Sequence, residues 1–408
     1  MVLCPAQMTP EAEKNPQRQP LWFLLLLALA VAGGAVAYVP FLTVLLPVKI
    51  AQLTGSDDVA SLAYATFAGA IVASFANIGF GWLSDRLGGR PPWIFAGMII
   101  SSTLLVIIGR TDNVTSLIIA IMLWQLGLNM MLGPLTAWAG DCVPDTQKGL
   151  LGGLFAFAPA LGALAGATVT IPGLADAAMR LVIVALLVLG MVTPVLLLGR
   201  RRELPELMTP REIAQQSEEA PWRTRSAVAR MWTARLLVQV AEAGLFAFLL
   251  FWLRSLSPGY GEDSAARIFS IVLAIAVPLA LAVGRWSDKR SRPILPLALA
   301  AICSSAGLVI MALASSLAAA IAGYLFFGIA SILFLSLHTG QTLRVLRSPE
   351  NRGRDLGFFN LTNTVPSLII PWLTLSLVPF FGFSGLFWLL AALCGLAGYL
   401  LIAISREI

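Results

Sequence analysis

The chain has 408 residues, of which 58% are hydrophobic and only 12% charged, and its formal net charge is +6. Soluble domains carry roughly 25% charged residues, so this balance excludes an ordinary water-soluble fold and points to lipid. The basic surplus does not signal nucleic acid, because the basic residues lie in short polar stretches between apolar runs.

A helix crosses about 30 Å of hydrocarbon with roughly 20 mostly apolar residues. In the first half, runs of that length start near Trp22, Ser61, Pro92, Ser116, Leu150 and Leu181. In the second half they start near Met231, Ala265, Pro293, Leu317, Leu356 and Ser384. The pattern predicts an all-α membrane protein with twelve transmembrane helices. It divides into an N-terminal tail (1–20), a six-helix bundle (21–199), a central loop (200–230), a second six-helix bundle (231–404) and a short C-terminal tail (405–408). The leader MTPEAEKNPQRQP contains acids, the first apolar stretch is long, and no small-residue cleavage site follows. The first run is therefore expected to stay in the mature chain as a span. Cys4, Cys142, Cys303 and Cys394 are scattered without paired spacing, which suits packing residues rather than a disulfide framework or a metal cluster. No metal and no cofactor are expected.

Basic residues favour alternate loops. One set holds Arg86 and Arg90, Lys148, the cluster from Arg200 through Arg230, Arg285 to Arg292, and Arg344 to Arg354, while the opposite loops keep little beyond Lys49, Arg110, Arg180, Arg254 and Arg267. By the positive-inside rule both termini are cytoplasmic, in the plasma (inner) membrane. Trp22, Trp82, Trp93, Trp138, Trp232 and Trp252 fall near run ends, as interfacial anchors do.

Two charged turns interrupt the oil: GWLSDRLGGRPPW from Gly81 to Trp93, and GRWSDKRSRP from Gly284 to Pro293. Aligning Asp85 with Asp288 gives an offset of 203 residues, which also brings Pro144 near Pro349 and Gly153 near Gly357. The chain reads as duplicated. Because each half has an even number of spans, the copies share one orientation and are related by an axis along the membrane normal. A cavity between the halves follows.

Six plus six spans, a central loop, and Gly-x-x-x-Asp-Arg-x-Gly-x-Arg after the second span together resemble the major facilitator superfamily of secondary transporters. Gly81, Asp85, Arg86, Gly88 and Arg90 occupy the signature positions. The second copy keeps Gly284, Asp288, Lys289 and Arg292 but has no glycine matching Gly88. The resemblance implies two parallel-related six-helix bundles and alternating access. It also implies a conformational latch at Gly81, Asp85, Arg86, Gly88 and Arg90, with Asp288 and Lys289 in the repeat. The chemistry agrees: a glycine lets helices approach, a carboxylate is favoured at a helix N-terminus, and arginines bond acids or exposed carbonyls. The competing reading is a solvated positive loop. RLGGRPPW is also similar to the ending found in the glycoside, pentoside and sucrose transporter branch, which implies a sugar-like solute. The acids that sodium-coupled members carry are missing from LAYATFAGAIVASFANIGF, which argues against that sodium site.

Polar groups at membrane depth need a reason, because an ionisable one costs at least about 2.5 kcal/mol on insertion scales. Glu242 lies halfway along the seventh span, and a carboxylate taken out of water favours its neutral form, which makes it a candidate proton carrier. The alternative is a structural glutamate. Gln239 shares its helical face, and Arg235, nearer the span end, is expected to snorkel to the interface. His338, the single histidine, is a second coupling candidate, followed by Gln341. Tyr38, Gln125, Asn129, Gln239, Gln341, Asn360 and Asn363 form the candidate substrate-binding set, since amides offer donors and acceptors to hydroxyl-rich or zwitterionic solutes. Interhelical amide bonds are the competing explanation. Pro366 and Pro371 are expected to bend the eleventh span. No phosphate-binding loop is present, so no ATP hydrolysis is expected. These features predict a non-enzymatic, monomeric transporter whose partners are a small organic solute, a proton and the bilayer, with no nucleic acid. A drug or metabolite exporter of the same fold, and a non-transporting receptor or chaperone on this scaffold, are the alternatives.

Overall fold

The computed structural model describes residues 18–54, 59–171, 173–199, 225–257, 260, 262–290, 292–346 and 351–406. Cys4, Pro349, most of the N-terminal tail and most of the central loop lie outside these residues.

Helix α1 (Leu21–Pro40) continues through a π-helical turn (Phe41–Leu45) into α2 (Leu46–Thr54). Pro40 has no N–H to give, and the next turn widens until Leu46 N–H reaches the Phe41 carbonyl. The first span is thus longer than its apolar run implied. Helices α3 (Val59–Leu87) and α4 (Arg90–Gly109) are joined by Gly88 and Gly89, at φ 70° and 71°. Two consecutive left-handed residues make this turn a glycine position, and Pro91 and Pro92 then open α4 where no N–H partner is needed. Helix α5 (Val114–Cys142) is capped by Asn113, which accepts from Ser116 N–H at 2.8 Å.

The fifth span is α6 (Lys148–Phe155) and α7 (Phe157–Val169), interrupted at Ala156. Pro159 cannot donate to the Phe155 carbonyl, and Ala156 N–H turns to the Gly153 carbonyl at 3.3 Å instead. Helix α8 (Ala177–Leu198) completes the first bundle. The second bundle contains α9 (Arg225–Leu256), α10 (Glu262–Arg290), α11 (Leu295–Leu313), α12 (Leu317–Val345) and α13 (Arg352–Arg406). Helix α13 supplies the eleventh and twelfth spans, divided at Gly382, where φ is 63° and ψ −176°. Pro366 and Pro371 lie within unbroken helix, so the interruption expected near them falls at Gly382.

Ten stretches among the described residues are long and apolar enough to cross a membrane. Helix α9 and the first limb of α13 complete a twelve-helix bundle pair with no strand among the described residues. Each bundle has its own core, one around Phe23, Phe41 and Trp124 and the other around Phe327, Phe334 and Phe387. Large apolar side chains such as Phe75 and Leu197 remain exposed, as a lipid-facing surface requires.

The bundles meet where α3 crosses α13 and where α6 crosses α10. A Cβ at Gly81 would collide with the Gly353 backbone, and one at Gly284 would collide with the Gly149 carbonyl. The two crossings are therefore equivalent under the repeat, and both are backbone-on-backbone contacts that only glycine permits.

Candidate functional site

At the end of the molecule that carries the charged turns, the bundles are held by two matched contacts. The Asp85 carboxylate, only 1% exposed, accepts from the backbone N–H groups of Gly353 (3.0 Å) and Arg354 (2.9 Å) in the first turn of α13. Asp288 accepts from Gly149 (3.0 Å) and Leu150 (2.8 Å) in the first turn of α6. Each acid meets the positive end of a helix from the opposite bundle. Arg90 holds Asp85 at 2.6 Å, donates to Ser84 at 2.6 Å, and reaches Asp141 at 3.0 Å. Asp141 in turn accepts from Arg352 of the second bundle at 2.6 Å. In the repeat, Arg344 holds Asp288 at 2.5 Å and also meets the Asp145 carbonyl. Lys148 crosses to the Leu343 carbonyl at 3.0 Å.

Of the latch residues read from the sequence, Gly81, Asp85, Arg90 and Asp288 come together at these crossings, with Gly88 forming the turn beside them. Arg86 points away, stacked 5.0 Å over the Trp82 ring, and Lys289 is exposed on the same end. Asp141, Arg344, Arg352 and Lys148 were missed. A signal for them existed: the offset that aligns Asp85 with Asp288 also aligns Asp141 with Arg344, opposite charges that each brace the local acid–cation cluster.

The amide candidates separate into two groups. In the first bundle Asn77 Nδ2 donates to Asn129 Oδ1 at 3.0 Å, and Asn129 Nδ2 donates to the Gln125 carbonyl (2.9 Å) and side-chain oxygen (3.2 Å). All three side chains are buried, which makes them a tie between α3 and α5. Gln341 is also buried, and its amide finds no hydrogen-bond partner among the described residues.

The second group joins α9, α12 and α13 of the second bundle. Arg235, Gln239 and Glu242 recur at spacings of four and three on α9 and share one face. Arg235 does not snorkel: Nε donates to Thr362 Oγ1 (3.1 Å), Nη1 to Thr339 Oγ1 (3.2 Å) and His338 Nδ1 (3.3 Å), and Nη2 to Asn363 Oδ1 (3.3 Å). Gln239 Nε2 also donates to Asn363 Oδ1 (2.6 Å), and Asn363 Nδ2 to Asn360 Oδ1 (2.9 Å). Thr362 faces α9, while Thr364 meets Ser74 of the first bundle at 2.9 Å. Successive helical residues are about 100° apart, so the exposed Asn363 looks into the gap between the bundles.

His338 is fully buried, and its Nε2 lies 3.0 Å from the Met231 carbonyl, which can only accept. Nε2 therefore carries the proton, and Nδ1 is the acceptor for Arg235 and for Thr342 at 3.0 Å. This arrangement is a neutral imidazole with both nitrogens occupied. Glu242 differs. It is half-buried and has no hydrogen bond among the described residues. It interacts through its charge with Arg235 on its own helix, with Tyr324 of α12 and with Tyr38 of α1, itself 36% exposed.

Comparison with known proteins accords with this geometry. Residues 23–347 match the family described as Major Facilitator Superfamily. The uncharacterized MFS-type transporter Rv2994 of Mycobacterium tuberculosis is 25% identical over 373 residues, covering 88% of this chain and 79% of that protein. The human organic anion transporter MFSD10 (TETRAN) superposes with a TM-score of 0.72 at 14% identity, over 95% of this chain and 100% of that one. FucP in its outward conformation gives 0.72 at 14% identity, over 94% and 98%. A bacterial homologue of the iron transporter ferroportin, outward-facing, gives 0.71 at 15% identity, over 94% and 99%. At such identities these structures share the fold alone.

Proposed function

The chain belongs to the major facilitator superfamily, and on that premise we propose that it carries a small hydroxyl-bearing organic solute, a sugar or related polar metabolite, across the inner membrane by alternating access, coupled to protons through Glu242. The protein is a multi-pass membrane transporter and not an enzyme. Sidedness follows from its loops: the basic turns belong to the cytoplasm by the positive-inside rule. On that reading the end at which the bundles are joined is the cytoplasmic one.

The observation that carries the proposal is the Glu242 carboxylate, midway along α9, half-buried and with no hydrogen bond among the described residues. An ionisable side chain at membrane depth is by default a functional group, and a carboxylate there can take up one proton. When the cavity changes sides, the proton is released there. Coupling arises to the extent that the two arrangements bind the proton differently. The amides of Gln239, Asn360 and Asn363 supply solute contacts.

The test is uptake by proteoliposomes with and without an imposed pH gradient, using a panel of polar solutes. The wild-type protein is expected to accumulate its solute above the equilibrium level only with the gradient, and Glu242→Gln to retain solute exchange but lose accumulation. Gradient-driven accumulation by Glu242→Gln would refute the carrier role.

A further inference from the structure

The groups around Asn363 are rich in donors and short of acceptors. Arg235 offers five N–H groups, and four are used, all on neutral acceptors: Thr362, Thr339, His338 and Asn363. One N–H of Nη2 remains. Gln239 and Asn363 each have two amide N–H groups and each donates one. Among the described residues, three N–H groups from three residues are thus left without an acceptor around the exposed Asn363. Among the described residues no carboxylate forms an ion pair with Arg235; Glu242 acts on it through its charge alone. His338 adds no charge, since its Nδ1 already accepts from Arg235.

We infer that the solute is a monoanion, a small organic acid whose carboxylate docks on Arg235, Gln239 and Asn363 and travels together with one proton on Glu242. This rests on the proton-carrier reading above and narrows the polar metabolite to an organic acid in place of an uncharged sugar. The charge balance explains the coupling. Empty, Arg235 and Glu242 cancel. With the proton alone the site is +1, and with the anion alone it is −1. With both it is neutral again. A net charge enclosed in a low-dielectric passage is strongly disfavoured, so only the empty and the doubly loaded forms change sides readily, and transport is electroneutral. Among the described residues, the titratable and charged groups that interact with Glu242 are Arg235 on α9, Tyr324 on α12 and Tyr38 on α1; His338 of α12 and the neutral Thr362 and Asn363 of α13 meet Arg235.

The experiment uses the purified full-length protein and a panel from lactate through gluconate to benzoate, each paired with its amide or alcohol, read by binding and by proteoliposome uptake. At least one monocarboxylate is expected to bind at least about tenfold more tightly than its uncharged partner, with affinity that falls as pH rises, and with uptake indifferent to an imposed membrane potential. Arg235→Gln should abolish that binding, and Arg235→Lys, which keeps the charge, should restore part of it. Glu242→Gln should bind the anion with no dependence on pH. Equal binding of charged and uncharged partners, undiminished binding by Arg235→Gln, or no binding by any member of the panel would overturn the inference. Gradient-driven accumulation of an uncharged solute would overturn it too, yet leave Glu242 as proton carrier, whereas absence of gradient-driven flux for every solute would remove both.

Discussion

Asp85 of the first bundle accepts the backbone N–H of Gly353 at the opening turn of α13 in the second, and Asp288 repeats the contact with Gly149 at the opening turn of α6. A charged acceptor at a helix N-terminus contributes up to about 2 kcal/mol when partly buried. Asparagine keeps the shape and removes the charge. Asp85→Asn is therefore expected to shift the balance toward the state open at the charged-turn end, by roughly 5–30-fold for a loss of about 1–2 kcal/mol. Ser336, packed against Gly152 of the opposite bundle, reports on the change. In a cysteine-free background, Ser336→Cys should react faster with a water-soluble maleimide when Asp85→Asn is added. Unchanged labelling would show that the acid does not hold the bundles together.

The glycine crossings make a steric prediction. A valine at Gly353 meets the Gly81 backbone, whereas Gly79 on α3 has open space where a Cβ would stand. Gly353→Val should prevent closure of the charged-turn end, and Gly79→Val should not. Spin-label distances between the facing ends of α3 and α13 decide it: longer for the first variant, unchanged for the second. Equal distances in both would mean that the crossing tolerates a side chain.

Asp141 bridges Arg90 of its own bundle and Arg352 of the other. Asp141→Ala leaves two guanidinium groups facing each other, and the closed arrangement should loosen, more at low salt than at high salt. Arg86, the signature residue stacked over Trp82, takes no part in that bridge, and Arg86→Ala should leave Ser336→Cys labelling at the parent rate. A large effect from Arg86→Ala with none from Asp141→Ala would reverse the assignment of the latch cations.

The sequence revealed the architecture because lipid imposes it: a span must be apolar over its length, and a duplicated bundle must repeat its turns. The pairing of Gly153 with Gly357 illustrates the depth of that repeat, since each lies against the backbone of a helix from the opposite bundle, Gly153 on Ala280 and Leu281, Gly357 on Ile78. What sequence could not supply was facing. Arg235 was expected at the interface because it lies near a span end, yet its partners Thr339 and Thr362 come from helices 104 and 127 residues away. Gln125 with Asn129, and Asn360 with Asn363, look alike as spaced amide pairs. Only the position of Asn77 on a neighbouring helix separates them, closing the first pair into a buried tie and leaving the second beside the gap.

That separation yields a paired prediction. Asn129→Ala deprives Asn77 and Gln125 of partners in a buried place. Hydrogen bonds between membrane helices are worth about 0.6–2 kcal/mol, so the melting temperature should fall by a few degrees while the affinity for solute stays at the wild-type value. Asn363→Ala acts at the exposed side of its cluster. It should leave the melting temperature nearly unchanged and weaken solute binding by roughly tenfold, the equivalent of about 1.4 kcal/mol. Thermal unfolding and solute binding measured on both variants discriminate the roles. Should Asn129→Ala abolish binding at an unaltered melting temperature, the buried tie would have to be redrawn as part of the solute site.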